Sequence, residues 1–519
     1  MAAQYIDGSL LSGDQMNAFL YSQKEPVVIT NMINDWSLIN WTLDQIATEF
    51  GSIETSLKIY KRKSYNLSSI TNTNSHPNVP TETDCLYIKC LLKEFIFWIT
   101  EKKDMIGKLA AFPYSEYWGY ADYNYMFEFF KDFSYVLNEV NWGKFGYPNR
   151  NGFHSTIWFG SKGSFTPCHQ DAYGTNLVAQ ILGIKEWILF SPHASELMQA
   201  TRIPYEESTI FSKVDVKSYL QYGIKVRLLP GEVLYVPKHW WHYVENETNS
   251  ISINTWLEME TDSYDRICEA LVKILVFSMK KYDGTSPDRW LNPNEEVPKN
   301  FSDCLQLLKS ALNENYEVNA CLSTFHTRAV VDDQHGSLHK LEDIVPDTST
   351  GQDINRKKIS NHCDIRGVDC DFLVNCFADK DETDSYDRIC EALVKILVFS
   401  MKKYDGTSPD RWLNPNEEVP KNFSDCLQLL KSALNENYEV NACLSTFHTR
   451  AVVDDQHGSL HKLEDIVPDT STGQDINRKK ISNHCDIRGV DCDFLVNCFA
   501  DKDVLTKVIE VMFKKMKNN

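Results

Sequence analysis

The chain has 519 residues, of which 53 are lysine or arginine and 72 are aspartate or glutamate, giving a formal net charge of −19. This acidic balance argues against general binding to nucleic acid and against binding to anionic membranes. A content of 42% apolar and 12% aromatic residues excludes a wholly disordered chain. No apolar run approaches the ~20 residues that span a bilayer. The first residues lack the basic and apolar regions of a signal peptide, so we expect none.

A perfect tandem repeat occupies the C-terminal half of the chain. Residues 260–381 recur letter for letter as residues 382–503. Diverged repeats change the letters between their pattern positions, so this identity indicates a very recent duplication or a gene-model error. Twelve of the 15 cysteines lie in the two copies. Their irregular spacing does not suggest a disulfide framework, and we expect reduced thiols in a cytoplasmic protein, with the nucleus as a second compartment.

Residues 1–145 have the pattern of mixed helices and strands. Residues 25–30 form a short apolar run typical of a strand, and residues 43–50 have helical spacing. Residues 66–83 are rich in Asn, Ser and Thr and predict an exposed loop. The apolar spacing of residues 86–98 predicts a second helix.

The pattern changes in residues 146–260, where short apolar runs alternate with turn residues. Many short strands with regular turns predict an antiparallel jelly roll, so the fold class is mainly β with flanking helices (α+β). Residues 261–381 are predicted to be helical and then partly disordered, with 382–503 as their duplicate and 504–519 as a terminal amphipathic helix. An apolar stripe from Ile267 to Leu275 predicts either core packing or a homodimer contact.

Three residues in the β-rich region point to a metal site. His169 and Asp171 are two positions apart, so in an extended strand their side chains point to the same side. His242 follows a later strand, which a jelly roll can bring back beside the first pair. Two imidazoles and one carboxylate on one face form the facial triad of non-haem Fe(II) oxygenases. Three protein ligands leave three positions open, enough for a bidentate 2-oxo acid and O2.

The neighbouring residues fit a binding cavity for such an acid. Lys185 lies in the second strand after the pair and can supply the buried cation that a dicarboxylate requires. Thr166 offers a hydroxyl to the same carboxylate. In the last strand, Ser252, Asn254 and Trp256 alternate with mostly apolar residues. A polar face of this kind is unusual for packing and typical of a lined cavity.

These segments resemble the JmjC-domain family, in particular its small hydroxylase-like branch. The similar stretches are FTPCHQDAYGTNLVAQILGIKEWILFSP, LLPGEVLYVPKHWWHYVE and SISINTW, and the resemblance covers roughly residues 10–280. It implies a double-stranded β-helix core with cupin-like topology, Fe(II), and 2-oxoglutarate consumed to succinate and CO2. By position it implies iron ligands, binders of the 2-oxoglutarate carboxylate, and residues that line the pocket: His169, Asp171 and His242; Thr166 and Lys185; and Asn176, Asn254 and Trp256.

The resemblance leaves several functions open. We expect an oxygenase that hydroxylates a protein side chain. The segment TRIPYEESTIFSK, residues 201–213, is similar to a branch of the family that associates with a small heat-shock protein, so a non-catalytic adaptor is the alternative. Lysine demethylation and hydroxylation of a tRNA base are further alternatives within the same chemistry.

Other residues have simpler interpretations. His239 falls in a turn and is expected to face solvent, and Cys168 is expected to point away from the metal by strand alternation. The tyrosines between Tyr114 and Tyr125 are expected to cover the open end of the barrel or border the substrate groove. A basic patch near the expected cavity mouth is expected to be a solvated surface, with steering of an acidic substrate as the alternative: Lys58, Lys61, Arg62 and Lys63. A group at His362, Cys363, Cys370 and Cys376 matches no common zinc finger.

Overall fold

The computed structural model describes residues 3–62, 80–101, 107–259, 261–314 and 492–518, together with isolated positions between them. Its strands run, in chain order, as β1 (Gln4–Asp7), β2 (Val27–Thr30), β3 (Glu54–Lys61), β4 (Leu86–Leu91), β5 (Tyr117–Tyr125), β6 (Thr156–Gly160), β7 (Phe165–Asp171), β8 (Thr175–Leu182), β9 (Lys185–Phe190), β10 (Ala200–Glu206), β11 (Thr209–Ser212), β12 (Ile224–Leu228), β13 (Val233–Val236), β14 (Trp241–Asn246) and β15 (Ser250–Leu257). The helices that flank them are α1 (Gly13–Ser22), α2 (Leu43–Glu49), α3 (Leu92–Glu101), α4 (Met126–Phe129), α5 (Ser195–Met198) and α6 (Asp262–Asp283).

The strands form two sheets. The larger sheet has the order β1-β2-β13-β8-β15-β6-β5-β3-β4, and the smaller has the order β10-β11-β7-β14-β9-β12. All pairings between named strands are antiparallel except that of β1 with β2. Neighbouring strands β7, β8, β9 alternate between the sheets, as they do in a jelly roll. The predicted fold class, a jelly-roll core with C-terminal helices, is confirmed.

Strand β15 separates the apolar core from the cavity. Ile251 and Ile253 are fully buried in the main hydrophobic cluster. On the opposite face, Ser252, Asn254 and Trp256 line a cavity of about 800 Å³. Because side chains alternate along a strand, one segment can complete a core and a polar wall at once.

Of the helices and strands predicted for residues 1–145, two are confirmed and one is wrong. The predicted strand and helix appear as β2 and α2. The predicted helix over residues 86–98 is instead strand β4 followed by α3, because residues 86–91 pair with β3 in register, with Leu57 opposite Ile88. Pairing with a distant strand overrides local helical spacing. The predicted loop lies mostly outside the described residues.

The chain divides into two compact units. One comprises Met1–Glu269, Thr285–Val297 and Ser310–Lys340, and it contains both sheets; the other comprises Ala270–Gly284, Pro298–Lys309 and Leu341–Asn519. In the second unit, α6 residues Leu271 and Leu275 of the predicted stripe are buried. Residues 301–314 are helical, and further helices cover Cys492–Phe499 and Lys502–Asn518. Within the described residues, no helix combines the length and the apolar character needed to cross a bilayer.

A buried ion pair ties α6 to the smaller sheet. The Arg202 guanidinium donates to both carboxylate oxygens of Glu269, with 2.7 Å between Nη2 and Oε2, and the Ser208 amide donates to the same carboxylate at 2.9 Å. We expect Glu269→Ala to lower the free energy of unfolding by about 3–5 kcal/mol, because it removes the carboxylate that pairs with the buried Arg202 guanidinium. Urea denaturation measures this loss. The double variant Arg202→Met/Glu269→Leu is the control and should recover most of the lost free energy of unfolding. An equal loss in the single and double variants would contradict the explanation.

Candidate metal centre

Two adjacent strands carry the predicted triad. His169 and Asp171 lie on β7, and His242 lies on β14 directly opposite His169 in the antiparallel register. One ligand atom from each of the three side chains lies within 4.8 Å of the other two. His169 Nε2 is 3.8 Å from Asp171 Oδ1, and the two imidazole centroids are 4.1 Å apart. A single ion can therefore be shared by all three.

Hydrogen bonds fix both imidazoles in the orientation that a metal needs. His169 Nδ1 lies 2.9 Å from the carbonyl oxygen of Pro167, and His242 Nδ1 lies 2.9 Å from that of Trp240. Because a carbonyl only accepts, each Nδ1 carries the proton and donates it. The lone pair of each Nε2 is then available to a metal ion, as in most histidine metal sites.

The charge states of His169 and Asp171 also favour the binding of a metal ion. Burial, together with the neighbouring His242, holds the pKa of His169 well below its usual range, so this imidazole is neutral. Burial raises the pKa of Asp171. A neutral imidazole and a desolvated carboxylate both gain from a bound cation, which replaces the solvation that they have lost. The donor set, two nitrogens and one carboxylate, fits Fe(II).

The Trp256 indole orients the carboxylate ligand, since its Nε1 donates to Asp171 Oδ2 at 3.2 Å. We expect Trp256→Phe to weaken binding of Mn(II) by about 10-fold, because such outer partners typically contribute 10–100-fold to metal affinity. Isothermal titration with Mn(II) measures the effect. Trp290→Phe is the matched control, because Trp290 does not line the cavity. Unchanged affinity in Trp256→Phe would show that the bond does not orient the ligand.

Lys185 is a buried cation with neutral partners. Its side chain is about 2% exposed, and its Nζ donates to Ser252 Oγ at 2.6 Å and to the Tyr120 hydroxyl at 3.1 Å. Among the described residues, no carboxylate forms a salt bridge with it. Burial lowers the pKa of Lys185 to about 7. Because an uncompensated buried charge is costly, a cavity that keeps one fits an anionic ligand.

The remaining predicted pocket residues surround this lysine and the triad. Thr166 lines the cavity and forms a hydrogen bond with Tyr120. Asn254 Nδ2 donates to Asn176 Oδ1 at 2.9 Å, and Asn254 Oδ1 accepts from the Trp158 indole at 2.7 Å. All eight predicted site residues thus line one cavity: Thr166, His169, Asp171, Asn176, Lys185, His242, Asn254 and Trp256.

Tyr120 is a site residue that the sequence analysis did not single out. It was grouped with aromatic residues expected to cover the barrel or border the groove, yet it is buried beside Lys185. Two neighbours from the same group, Tyr123 and Tyr125, also line the cavity. The signal was weak because Tyr120 lies on β5, in the part of the chain where no jelly-roll pattern was predicted.

Two of the simpler interpretations need correction. Lys58 is not a solvated residue: it is about 1% exposed and pairs with Glu82 at 2.9 Å and Asp122 at 2.8 Å. Its partners lie far along the chain, so the local run of basic residues could not reveal them. His239 is half-buried rather than solvent-facing, because its Nε2 lies 2.8 Å from the Ala172 carbonyl oxygen.

His239 and Cys168 do not belong to the metal site. His239 is not in the group of potential metal ligands. Cys168 packs in an apolar cluster with Ile188 and Phe190, away from the ligand face of β7, and burial raises the pKa of its thiol. The possible zinc residues near His362 lie outside the described residues.

Comparison with known proteins gives the family of this segment. Residues 14–263 match a family model described as a cupin-like domain. The chain is similar to HSPB1-associated protein 1 of Rattus norvegicus, with 39% identity over 287 residues, 53% of this chain and 58% of that protein. It is also similar to HSPB1-associated protein 1 of Homo sapiens, with 35% identity over 328 residues, 61% and 62% of the two chains. Lysine-specific demethylase 8 of Xenopus tropicalis is 25% identical over 251 residues, 46% and 49% of the two chains.

This segment is a cupin-like JmjC domain. The recognition from the sequence motifs is thereby confirmed. The chain spans less than two thirds of the length of these curated relatives. Within the JmjC domain, the His-Asp-His group occupies the cavity between the two sheets.

Proposed function

We propose that the JmjC domain is an Fe(II)- and 2-oxoglutarate-dependent oxygenase that hydroxylates a protein side chain. In this proposal His169, Asp171 and His242 hold the iron, and Lys185 binds the far carboxylate of 2-oxoglutarate with help from Thr166. When bound, the two cofactors supply an oxidant made from O2 while 2-oxoglutarate is converted to succinate and CO2.

The chain's own residues bind, orient and exclude water. The carbonyl oxygens that fix Nδ1 of both histidines keep each Nε2 aimed at the metal position. The hydrogen-bonded amides of Asn176 and Asn254 form a polar wall of the cavity. Since His169, His242 and Lys185 are buried and Asp171 is half-buried, a reaction at this centre would be largely shielded from bulk water.

The single observation that carries the proposal is Lys185, a buried cation in the cavity that contains the triad, with no carboxylate partner among the residues that the structure describes. A metal-binding cupin with another reaction would need the three ligands but not this charge. A dicarboxylate co-substrate needs both. The presence of both in one cavity favours the oxygenase.

The test is turnover of 2-oxoglutarate by the full chain. The protein is incubated with Fe(II), 2-oxoglutarate and O2, and succinate is measured with and without a peptide library derived from cell extract. We expect iron-dependent succinate formation that a substrate peptide accelerates. Mass spectrometry of that peptide distinguishes a gain of one oxygen from demethylation, and incubation with tRNA tests the base hydroxylase. No succinate, together with no binding of 2-oxoglutarate, would contradict the proposal.

A second candidate is an adaptor that binds a small heat-shock protein without catalysis. The name of the rat and human relatives, HSPB1-associated protein 1, favours it. Pull-down of HSPB1 with the wild type and with Asp171→Ala separates the two functions. Equal capture by both proteins, in the absence of turnover by the wild type, would favour the adaptor. We also propose a cytoplasmic or nuclear location; Cys85, Cys90 and Cys168 are free thiols, as a reducing compartment requires.

A further inference from the structure

A tight turn at residues 237–240 connects β13 of the larger sheet to β14 of the smaller sheet. The Trp240 amide closes it by donating to the Pro237 carbonyl oxygen at 3.3 Å. Within the turn, His239 has a positive φ of 67°, a conformation that costs energy in a residue with a side chain. His239 is not one of the three metal ligands, so the triad does not account for this strained residue.

The carboxylate ligand Asp171 is the last residue of β7. In the strand pairing that the structure describes, β14 pairs with β7 as far as His242 opposite His169, and not at Asp171. On the other side of β7, Asp171 lies opposite Thr209 of β11. A metal ligand has to be held within roughly 0.5 Å of its working position, so this end of β7 needs another support towards β14.

His239 supplies this support on both sides of Asp171 in the sequence. Gln170 Nε2 donates to the main-chain oxygen of His239 at 3.1 Å. The ring nitrogen Nε2 of His239 lies 2.8 Å from the carbonyl oxygen of Ala172. Because a carbonyl only accepts, Nε2 carries the proton and donates it. The residues before and after Asp171 are therefore both bound to His239.

The first turn of α6 anchors the turn that contains His239. Lys238 Nζ donates to Asp262 Oδ1 at 3.0 Å and to Asp265 Oδ2 at 2.7 Å. Asp265 Oδ1 lies 3.7 Å from His239 Nε2, which is too far for a direct hydrogen bond but favours a proton on that nitrogen. Helix α6 thus fixes the turn, and the turn fixes the end of β7.

Trp256 and His239 support different parts of the same ligand. The Trp256 indole donates to the Asp171 carboxylate itself and limits the rotation of this side chain. The bonds of His239 hold the main chain that carries the side chain. A turn that served stability alone would form the same two bonds, so a test has to separate metal affinity from stability.

We propose that His239 is a positioning residue for the metal centre: it fixes the main chain on both sides of Asp171 without binding the metal itself. This inference rests on the metal site of the proposed function. It gives the turn before β14, and the start of α6 that anchors this turn, a part in metal affinity.

Two substitutions of His239 separate positioning from stability. His239→Gly adopts the positive φ without strain and keeps the main-chain oxygen, but it loses the bond to Ala172. His239→Gln adopts the positive φ less readily but keeps a donor, since glutamine Nε2 lies about as far from Cα as imidazole Nε2 does. We expect His239→Gly to bind Mn(II) about 10-fold more weakly than the wild type, and His239→Gln to bind it within about 3-fold of the wild type. Without metal, His239→Gly should need at least as much urea to unfold as His239→Gln.

Isothermal titration of the full chain with Mn(II) measures the affinities. Gln199→Gly is the matched control, because Gln199 also has a positive φ, of 48°, but is exposed and does not line the cavity. This variant should bind Mn(II) like the wild type. Circular dichroism checks the fold of each variant. If His239→Gly does not fold, His239→Asn takes its place, because asparagine tolerates a positive φ and is too short to reach Ala172.

The outcomes separate this inference from the function on which it rests. Wild-type affinity for Mn(II) in His239→Gly would overturn the role of His239 and leave the metal site intact. An equal loss of affinity in His239→Gly and His239→Gln would also overturn it, since the bond to Ala172 would not be the cause. Failure of the wild type to bind Mn(II) would overturn the metal site together with this inference.

Discussion

Replacing His169 by alanine is expected to weaken Mn(II) binding by more than about 100-fold and to abolish iron-dependent succinate formation. The imidazole supplies one of three ligands, and the two that remain, Asp171 and His242, cannot hold the ion against water. The affinity for Mn(II) is measured by isothermal titration, because this ion binds without turning over. The same loss is expected for His242→Ala, since the two histidines face each other across β7 and β14.

The matched control is His193→Ala. His193 is exposed, lies in a short 3-10 turn after β9, and does not line the cavity. This variant should bind Mn(II) like the wild type. Circular dichroism of each variant checks that the fold is retained. Full metal affinity in a folded His169→Ala protein would contradict the triad as the metal site.

Replacing Lys185 by methionine is expected to weaken the binding of 2-oxoglutarate and, at the same time, to stabilise the folded protein. The variant should bind Mn(II) normally but should bind 2-oxoglutarate more than about 100-fold more weakly, because the carboxylate would then be buried without a cation. Its free energy of unfolding should rise by about 1–3 kcal/mol at pH 7, since the wild type buries a charge whose hydrogen-bond partners in the described part of the chain, Tyr120 and Ser252, are neutral. Equilibrium titration with 2-oxoglutarate and urea denaturation measure the two effects.

The pH dependence of this pair of effects has a definite sign. The pKa of Lys185 is about 7 in the folded protein, below its value in the unfolded chain, which therefore binds the proton more tightly. The destabilisation by the buried Lys185 charge is absent when the pH is above the pKa of this lysine in the unfolded chain. It grows as the pH falls towards 7 and is constant at lower pH. The stability gain of Lys185→Met should thus shrink between pH 7 and pH 10. The affinity of the wild type for 2-oxoglutarate should fall as the pH rises above 7, because the lysine loses its charge.

Lys225→Met is the control for this prediction. Lys225 lies on β12, is more than half exposed, and pairs with Glu186 outside the cavity lining. It should leave both the affinity for 2-oxoglutarate and its pH dependence unchanged. If Lys185→Met binds 2-oxoglutarate as the wild type does, the carboxylate is bound elsewhere. The buried Lys185 would then no longer support the proposed function.

The part of the site that depends on local sequence could be predicted. His169 and Asp171 lie two residues apart on one strand, and the alternation of β15 predicted which of its side chains face a cavity. His242 could be added because the jelly-roll pattern returns the chain to the same place. These predictions needed only the period of a strand and the fold class.

The parts that depend on partners distant in the chain could not be predicted. Lys58 looked like a surface residue, yet Glu82 and Asp122 neutralise it inside the protein. Residues 86–91 had helical spacing, but pairing with β3 makes them a strand.

The most direct measurement is anomalous X-ray scattering from a crystal grown anaerobically with Fe(II) and 2-oxoglutarate, with data collected on both sides of the iron absorption edge. We predict one iron peak within bonding distance of His169 Nε2, a carboxylate oxygen of Asp171 and His242 Nε2, with a 2-oxoglutarate carboxylate at Lys185 Nζ. No iron peak among these three side chains, in a crystal that contains bound iron elsewhere, would contradict the account.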